Sequence, residues 1–492
     1  MTPTVRVTAG LLAGSELTTD SGPVTRYAGI PYAQPPVGDL RFAAPQPAKP
    51  WDGTYDATAF GPSPIQDTSP AATDTVPGMR PTQTSEDCLS LNVWTPGGAE
   101  GRGLPVLVWI YGGGFSTGGT EFETYDAANL AAEQQVVVVS VNYRVGALGF
   151  LDLREHGGDQ IGAVTNVGLR DQLLALEWVR DNVASFGGDP QRITIFGESA
   201  GAGSVIQLVG TGSRLFHRAI AQSPGVGFTQ QPKVSSKVAR ALLDRLGAED
   251  AKSLLDVPAD KLLEAQIAVA TDLLGSIGAM VFHPYVDDDL VRATPLETFA
   301  TGGGSEIDLL IGAAADEMRL YLDPRADTLD DAGLTKWAQG FLRCDETTAR
   351  NVLAAYPDGK PSDRIAAIMT DRSMRKPIYD LADQHQGRTY AYSFDWQAGE
   401  RGAFHAIDLP FTFDTLDRGG WGEFLGVDEG AREVGRALRS AWAAFAATGD
   451  PTCEATGYWP PYEPQRRTLR LNTEITLVED PMSDTRAAWA EL

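Results

Sequence analysis

The feature that most constrains how this chain folds is a serine between two glycines, placed after an apolar run and before a helical one. The run Arg192 to Phe196 is predicted to form a buried strand, and Ala200 to Val209 to begin a helix. Gly197-Glu198-Ser199-Ala200-Gly201 joins them. In that context the serine occupies a tight turn at the carboxyl end of a strand, and the helix dipole favours negative charge beside it. Ser199 is therefore the predicted nucleophile.

A second copy of the pattern, Gly114-Phe115-Ser116-Thr117-Gly118, also follows an apolar run. The residues after it, GGTEFETYD, do not begin a helix, which favours Ser199 over Ser116. The glycine triplet Gly112 to Gly114 is typical of a loop whose free backbone amides point at a substrate oxygen. With the amide of Ala200, directly after the nucleophile, this loop is predicted to form an oxyanion hole.

Strand and helix signals alternate along the rest of the chain, which predicts an α/β fold with a mostly parallel central sheet flanked by helices. The further predicted strands are Leu104 to Tyr111, Val136 to Tyr143, Ala219 to Gln222, Ile307 to Ile311 and Arg388 to Phe394. Apolar residues at helical spacing predict a helix over Gly168 to Ser185. Two long helical stretches, Lys233 to Leu274 and Leu334 to Asp380, are predicted to be insertions that form the pocket walls.

The first 100 residues are rich in proline and turns, and they are predicted to form an irregular surface arm. Tyr32, Phe42 and Trp51 are spaced through this arm as anchors. We find no internal repeat and no linker, which favours one elaborated domain over residues 1–492.

The chain holds five histidines, so a general base can be sought by elimination. His156 precedes Ser199, against the order serine, acid, histidine that such a fold requires, and His217 follows Ser199 too closely. His283, in the segment AMVFHPYVDDD, could be part of a pocket wall.

The last two histidines flank one predicted strand, Arg388 to Phe394. His385 precedes the strand and is therefore expected at the amino edge of the sheet. His405 follows the strand through a short loop and emerges at the carboxyl edge, where Ser199 is expected. Position thus predicts His405 as the base.

The acid should lie on a loop after an intermediate strand. Ile307 to Ile311 supplies the strand, and two adjacent carboxylates, Asp316 and Glu317, follow just past its end. Either could orient the imidazole and stabilise it once it is protonated. The residues alone leave this choice open.

The charge balance excludes one class of partner. Asp plus Glu number 65 against 40 Lys plus Arg, a formal charge of −25. Such a surface repels phosphate backbones and anionic membranes, so neither nucleic acid nor a membrane is an expected partner.

The cysteines and the N-terminus bear on the compartment. Cys88, Cys344 and Cys453 are odd in number and widely spaced, which suggests neither a metal cluster nor a disulfide framework and fits a reducing compartment. The N-terminal sequence lacks the features of a secretion signal, and no run of about 18 apolar residues occurs. A cytoplasmic location is therefore expected.

Taken with these features, the chain resembles the type-B carboxylesterase family, which includes bacterial esterases and the cholinesterases. The matching segments cover nearly the full length. They are YAGIPYAQPPVGDLRF (Tyr27 to Phe42), SEDCLSLNVWTP (Ser85 to Pro96), WIYGGGF (Trp109 to Phe115), NYRVGALGFL (Asn142 to Leu151), NVGLRDQLLALEWVRDNVASFGGDP (Asn166 to Pro190), FGESAG (Phe196 to Gly201), GAFHAIDLPFTF (Gly402 to Phe413) and AWAAFAATGDP (Ala441 to Pro451).

The resemblance implies an α/β-hydrolase fold and assigns roles that the residues alone leave open. It favours Glu317 as the acid, and it implies oxyanion amides at Gly113, Gly114 and Ala200. The other roles that it implies are supporting side chains beside the triad at Glu198 and Ser223, ion pairs of Arg41 with Glu86 and of Arg144 with Asp171, and pocket positions at Gly278, Met280, Leu320 and Tyr321.

The chain departs from the family pattern at three places. Met318 replaces the glycine that usually follows the acid. Cys88 matches one half of a disulfide of eukaryotic relatives, but no cysteine precedes it. The segment Gly61 to Asp87 holds no aromatic residue, whereas choline-specific relatives carry a tryptophan there, so choline esters are poor candidate substrates.

The sequence therefore predicts a bacterial-type carboxylic ester hydrolase that forms an acyl-enzyme on small to medium uncharged esters and needs no metal or cofactor. Amide, carbamate or thioester cleavage by the same triad is the alternative, and a non-catalytic binding protein is a remote one. A monomer or a weak homo-oligomer is expected.

Overall fold

The computed structural model describes residues 2–73, 75–278, 280–357, 359–490 and 492. Over this part of the chain, eleven strands form one large mixed sheet. In chain order the strands are Ser15–Thr19 (β1), Gly22–Pro31 (β2), Ser90–Pro96 (β3), Leu104–Ile110 (β4), Val137–Val141 (β5), Gly188–Glu198 (β6), Arg218–Gln222 (β7), Asp308–Ala314 (β8), Thr389–Phe394 (β9), Arg467–Leu471 (β10) and Thr476–Glu479 (β11). Their order across the sheet is β11-β10-β9-β8-β7-β6-β4-β5-β3-β2-β1.

The predicted, mostly parallel sheet is confirmed. Every neighbouring pair from β5 through β4, β6, β7, β8 and β9 to β10 is parallel. Antiparallel pairs extend the sheet at both sides, with β3, β2 and β1 beyond β5 and with β11 beyond β10. The central strands are buried almost throughout, because helices cover both faces, and this explains their continuous apolar sequences.

Helices pack around this sheet and account for the predicted helical segments. The longer ones are Val167–Asn182, Ala200–Gly210, Pro232–Leu246, Ala259–Ile277, Asp331–Leu342, Glu346–Ala354, Pro361–Thr370, Lys376–Gln384 and Glu429–Thr448. The shorter ones are Pro70–Thr73, Ala128–Gln134, Gly146–Phe150, Pro295–Ala300, Leu409–Phe413, Trp421–Leu425 and Arg486–Trp489. A π-helical turn, Asp371–Arg375, joins two helices of the second insertion.

The prediction of an irregular arm over the first 100 residues is wrong in part. β2 pairs with β3, and β3 pairs with β5, so both strands belong to the main sheet and β3 is buried along its whole length. The prolines lie at or near the strand ends (Pro23, Pro31 and Pro96), where the missing backbone N–H costs the sheet few hydrogen bonds. Further strands, Thr4–Val7, Gly10–Ala13 and Thr54–Asp56, form a small separate sheet.

The topology places the site. Parallel neighbours present their carboxyl ends at one edge. There β6 ends directly before Ser199, β8 ends three residues before Glu317, and a loop leads from the end of β9 at Phe394 to His405. The sheet thus brings together three segments that lie far apart in sequence.

Candidate active site

Ser199 lies in the sharp turn between β6, which ends at Glu198, and the helix that begins at Ala200. Its backbone has φ 55° and ψ −121°, a conformation that L residues rarely adopt and that the neighbouring contacts must hold. Its amide donates to the carbonyl of Gln222 at 2.9 Å. A Cβ on Gly201 would lie 2.0 Å from the carbonyl oxygen of Ile110, so this close approach requires glycine.

The serine is the first member of a hydrogen-bonded chain of three side chains. The Nε2 atom of His405 lies 2.8 Å from Oγ of Ser199, and its Nδ1 atom lies 2.5 Å from Oε2 of Glu317. With the ring proton on Nδ1, the imidazole donates to the carboxylate and accepts from the hydroxyl. All three side chains belong to segments that follow carboxyl ends of parallel strands.

Glu317 is fixed from its other oxygen and from its backbone. Oε1 accepts hydrogen bonds from the Ser223 hydroxyl at 2.5 Å and from the Ala314 amide at 2.7 Å. The amide of His405 donates to the Glu317 carbonyl at 3.1 Å. Glu317 is fully buried, so these donors replace the water that a carboxylate would otherwise bind.

Asp316 points elsewhere. Its Oδ2 atom accepts from the Ala403 amide at 3.1 Å, and its own amide donates to the Ala403 carbonyl at 2.8 Å. Asp316 thus holds the loop that carries His405, while Glu317 contacts the imidazole. Of the two carboxylates, the one that contacts the imidazole is thus the one that the resemblance favours as the acid.

The other four histidines lie away from this chain of side chains. His385 bonds Oγ1 of Thr389, the first residue of β9, and the carbonyl of Gly304, and so lies at the amino edge as predicted. The imidazole of His156 contacts the backbone carbonyl of Ser236, outside the site. The imidazole of His217 accepts a hydrogen bond from the backbone amide of Ile193, also outside the site. His283 is buried between the rings of Phe115 and Phe228.

The glycine loop faces the serine with open backbone amides. Gly113 and Gly114 have φ of 111° and 60°, and both line the same cavity as Ser199. In the part of the chain that the structure describes, no residue accepts a hydrogen bond from the amides of Gly113, Gly114 or Ala200. Ser116 lies in the turn of this loop, and its amide donates to the Gly113 carbonyl at 3.1 Å.

Glu198 adds a second carboxylate beside the imidazole. Its Oε1 atom lies 3.3 Å from Nε2 of His405 and has no hydrogen-bond partner among the described residues. Burial raises the pKa of Glu198 to about 8, although His405 acts in the opposite direction. Burial alone would lower the pKa of His405, but Glu198, Tyr321 and Glu317 outweigh it and hold the pKa well above its usual range. An imidazolium here therefore has a carboxylate near each ring nitrogen.

A third buried carboxyl group, Asp408, lies behind the histidine loop. It accepts a hydrogen bond from Gln222 at 2.9 Å, and burial raises the pKa of Asp408 to about 6. No sequence pattern singles out Asp408, because it follows the histidine within a mostly apolar segment, FHAIDLPF.

The cavity above Ser199 has a volume of about 210 Å³. The predicted pocket residues Leu320 and Tyr321 line it. Met280 lies against the glycine loop, where a Cβ on Gly114 would be 3.6 Å from its side chain. Gly278 ends the helix Ala259–Ile277, and a Cβ there would meet nothing within 4 Å. Neither Gly278 nor Met280 lines this cavity.

Sequence reasoning missed the wall of the cavity that comes from the loop before β3. Gln66, Val76, Met79 and, from another loop, Phe122 all line it. The two helical insertions contribute none of the lining residues, so the expectation that they wall the pocket is wrong for this cavity. The family resemblance had indicated that the segment Gly61 to Asp87 lies near the substrate, but it did not indicate which of its side chains line the cavity.

The two ion pairs that the resemblance implied are confirmed. Arg41 and Glu86 approach to 2.8 Å, and Arg144 and Asp171 to 2.7 Å with both side chains buried. The second pair also ties the N-terminal segment down, because Arg144 donates to the carbonyl of Arg41 at 3.0 Å. The three cysteines are free thiols.

A mostly parallel sheet that carries a nucleophile turn at its carboxyl edge defines the α/β-hydrolase class, and this chain has that fold. The chain belongs to the carboxylesterase family, which it matches over residues 1–489. It is therefore a serine carboxylic ester hydrolase.

Individual relatives match most of the chain. A para-nitrobenzyl esterase of Bacillus subtilis (strain 168) is 37% identical over 482 residues, covering 95% of each chain. A phenmedipham hydrolase of Pseudarthrobacter oxydans is 38% identical over 453 residues, covering 89% of each. The crystal structure of a Geobacillus stearothermophilus carboxylesterase at pH 6.2 superposes with a TM-score of 0.86 at 34% identity, covering 99% of each chain.

The described residues include neither a candidate membrane-spanning helix nor a candidate metal-binding cluster. None of their helices combines the length and apolar character that crossing a bilayer demands. Nor do they contain three or more His, Cys, Asp or Glu side chains grouped so as to bind a metal ion.

Proposed function

We propose that the protein hydrolyses carboxylic esters through a triad of Ser199, His405 and Glu317 and through an acyl-enzyme on Ser199. The observation that carries this proposal is the continuous chain of hydrogen bonds from the Ser199 hydroxyl through the imidazole to the buried carboxylate, at 2.8 and 2.5 Å. Nucleophile, base and orienting acid in this arrangement form the template for acyl transfer.

In the first step Ser199 Oγ attacks the ester carbonyl while His405 Nε2 takes its proton. The carbonyl oxygen becomes an oxyanion, and the amides of Gly113, Gly114 and Ala200 are the donors that stabilise it. Each such donor contributes roughly 10²–10³ in rate. The tetrahedral intermediate collapses, the bond to the alcohol oxygen breaks, and His405 returns the proton to the leaving alcohol.

In the second step water replaces the alcohol and the same groups act again. His405 takes a proton from water, the hydroxide attacks the acyl carbon, and Ser199 leaves with the proton from the imidazolium. Glu317 keeps the ring in the tautomer that the first transfer needs and stabilises the imidazolium in both steps. Glu198, at 3.3 Å from Nε2, adds to that stabilisation, and Ser223 holds Glu317 in place.

The substrates that fit are small to medium uncharged esters. A cavity of about 210 Å³ lies below the volume of about 300–1,000 Å³ that encloses a drug-sized ligand. Val76, Met79 and Phe122 give it an apolar wall. The relative named for para-nitrobenzyl ester cleavage supports an ester rather than an amide, carbamate or thioester as the substrate.

The cellular location that we propose is the cytoplasm of a bacterium. Free thiols at all three cysteines suit the reducing cytoplasm of a bacterium, and the similar proteins of Bacillus subtilis and Pseudarthrobacter oxydans are bacterial. A single domain is supported by one continuous hydrophobic core that runs from Val7 to Trp489.

The test is a kinetic panel on the purified protein with p-nitrophenyl esters of increasing acyl length and one matched anilide. We expect ester kcat/KM to exceed that for the anilide, and Ser199→Ala to remove nearly all turnover. Ser116→Ala, the matched change at the second glycine-serine pattern, should retain wild-type activity. A Ser199→Ala variant that kept half of the rate would overturn the proposal.

A further inference from the structure

The loop that carries the proposed acid, Glu317, is hydrogen-bonded to one segment of the second helical insertion. Before Glu317 in the loop, the carbonyl of Ala315 accepts a hydrogen bond from Nη2 of Arg375 at 2.6 Å. After Glu317, the amide of Met318 donates to the hydroxyl of Thr370 at 3.2 Å. The insertion therefore holds the loop on both sides of the acid, although neither of its two side chains lines the cavity.

The carbonyl of Ala315 depends on Arg375. Ala315 directly follows β8, and its amide still donates to the carbonyl of Phe394 in β9 at 2.9 Å. Its carbonyl lies beyond the hydrogen-bond ladder of the sheet, and Arg375 is its one donor among the described residues. Without the guanidinium this carbonyl would lack a partner in a half-buried position, so the loop would have to move to satisfy it.

A π-helical turn places Arg375 for this contact. The turn covers Asp371–Arg375 and lies between the helices Pro361–Thr370 and Lys376–Gln384. Such turns are rare and are found mostly at functional sites. The first and last residues of the turn, Asp371 and Arg375, form an ion pair in which the acid is 1% exposed. The turn thus fixes the guanidinium at its base.

The carboxylate of Asp371 is held by a second donor. Its Oδ2 atom accepts from the hydroxyl of Tyr356, and that hydroxyl accepts from Nε1 of Trp489 at 2.8 Å. Trp489 is 2% exposed, so this chain of hydrogen bonds is anchored in the core. The guanidinium of Arg375 is a planar fork, with Nη1 on Asp371 and Nη2 on Ala315.

We propose, on the basis of the esterase function above, that Arg375 is a positioning residue of the esterase reaction. It holds the Ala315 carbonyl, and through the loop it keeps the Glu317 carboxylate within hydrogen-bonding distance of the imidazole of His405. Because a displacement of about 1 Å in a catalytic group can cost roughly 10²-fold in rate, a contact at this distance from the substrate is enough to control turnover.

The experiment removes the guanidinium without leaving a buried charge unpaired. Arg375→Met in the Asp371→Asn background is compared with Asp371→Asn alone, which keeps the guanidinium and its bond to the loop. The matched control is Arg218→Met in the Asp308→Asn background, compared with Asp308→Asn. Arg218 also pairs with an aspartate and donates to a backbone carbonyl, that of Ala446 at 2.9 Å, but it begins β7 at the amino edge of the sheet.

Steady-state kinetics on p-nitrophenyl acetate gives the first result. Relative to Asp371→Asn, the double variant should lose about tenfold or more in kcat. Its KM should change by less than about twofold, because no residue that lines the cavity has been altered. In the control pair, removal of Arg218 should leave kcat unchanged. Thermal unfolding of all four proteins checks that each is folded at the assay temperature.

The pH profile of kcat/KM separates positioning of the acid from loss of folded protein. The titratable groups that face His405 are Glu198, Glu317, Tyr321 and Asp408. Glu317 is one of those that hold the pKa of His405 well above its usual range. If its carboxylate moves away from the ring, this pKa falls and the acid limb moves to lower pH. Loss of folded protein would lower the plateau and leave the limb in place.

Three results would overturn the role of Arg375. They are a double variant with the kcat of Asp371→Asn, a fall in kcat without a shift of the acid limb, and an equal fall in kcat on removal of Arg218. Each of them leaves the esterase function intact. A wild-type protein that cleaves no p-nitrophenyl ester would instead overturn the proposed function itself.

Discussion

At the scale of single residues, the site is built from one imidazole surrounded by carboxyl groups that have different environments. Glu317 is hydrogen-bonded by Ser223 and the Ala314 amide, whereas Glu198 is buried with Oε1 unpartnered. A satisfied carboxylate can hold the imidazole in place, and a poorly satisfied one responds to the charge on the ring. The two acids beside His405 therefore have distinguishable roles.

Glu317→Gln should reduce kcat by about 10⁴-fold, because an amide neither fixes the productive tautomer of His405 nor stabilises its protonated form. Asp316→Asn is the matched control, since Asp316 bonds only loop backbone and its change should cost less than about tenfold. Steady-state kinetics on p-nitrophenyl acetate measures both. The reverse order of effects would show that the acid has been assigned to the wrong residue.

Glu198→Gln should change the pH profile of kcat/KM. Activity needs neutral His405 and is lost as the pH falls through its pKa, which Glu198 helps to raise. Removing that carboxylate should lower the pKa, so the acid limb should move to lower pH. The plateau should drop by about tenfold, because the imidazolium of the transition state loses a nearby charge.

The control for this change is Glu123→Gln, an exposed glutamate on a neighbouring loop, which should leave the profile unchanged. An acid limb that stayed in place or moved to higher pH in Glu198→Gln would show that Glu198 does not act on the imidazole.

At the scale of secondary structure, the turn between β6 and its helix depends on how closely two backbones approach. Gly201→Ala would place a Cβ 2.0 Å from the Ile110 carbonyl of β4, and neither backbone can move without disturbing the sheet. We expect a loss of about 1–3 kcal/mol in stability, together with reduced kcat as Ser199 shifts. Thermal unfolding and ester turnover measure the two effects.

Gly275→Ala is the matched control. Gly275 lies in the helix Ala259–Ile277, and a Cβ there meets nothing within 4 Å. It should leave activity unchanged and stabilise the protein by about 0.5–1 kcal/mol, because alanine loses less backbone freedom in a helix. Equal effects of the two changes would contradict the importance of the close approach.

The elements also show where sequence reasoning succeeds. Strands β4 to β9 were predicted because burial on both faces leaves an apolar run that is visible locally. β2 and β3 were missed because about 60 residues separate them, and their pairing with each other and with β5 is a long-range contact that no local pattern records.

The candidate site likewise contains residues that sequence reasoning could place and residues that it could not. The preference for His405 over His385 follows from a rule about sheet edges, since His405 comes after β9 and His385 before it. The preference for Glu317 over Asp316 rests on the family resemblance, because both carboxylates follow the same strand. Gln66, Val76 and Met79, which form part of the cavity wall, lie on the long loop between β2 and β3, and their positions depend on the path of that loop. Side chains of such a loop cannot be placed from spacing alone.

At the scale of the whole molecule, a buried histidine outside the triad should make stability depend on pH. His283 packs between Phe115 and Phe228, neither ring nitrogen has a hydrogen-bond partner among the described residues, and burial lowers its pKa from 6.5 to about 4. As the pH falls below 6.5 the unfolded chain binds a proton that the folded protein cannot yet bind. Folding stability should therefore decrease until about pH 4 and then level off.

His283→Phe should remove this dependence, since phenylalanine fits among the neighbouring rings and does not titrate. The free energy of unfolding of the wild type should fall by about 3 kcal/mol more than that of the variant between pH 7 and pH 4. Urea titrations across that range measure the difference, and the two proteins should run parallel above pH 7. Parallel curves at acid pH would show that His283 is protonated in the folded state.

The central claim is that Ser199, activated by His405, forms the covalent intermediate. It is tested most directly by treating the protein with a fluorophosphonate ester, digesting it, and locating the adduct by mass spectrometry. We predict one adduct per chain, on the peptide that contains Ser199, and none in Ser199→Ala. An adduct on Ser116, or a wild-type protein that takes up no label, would contradict the claim.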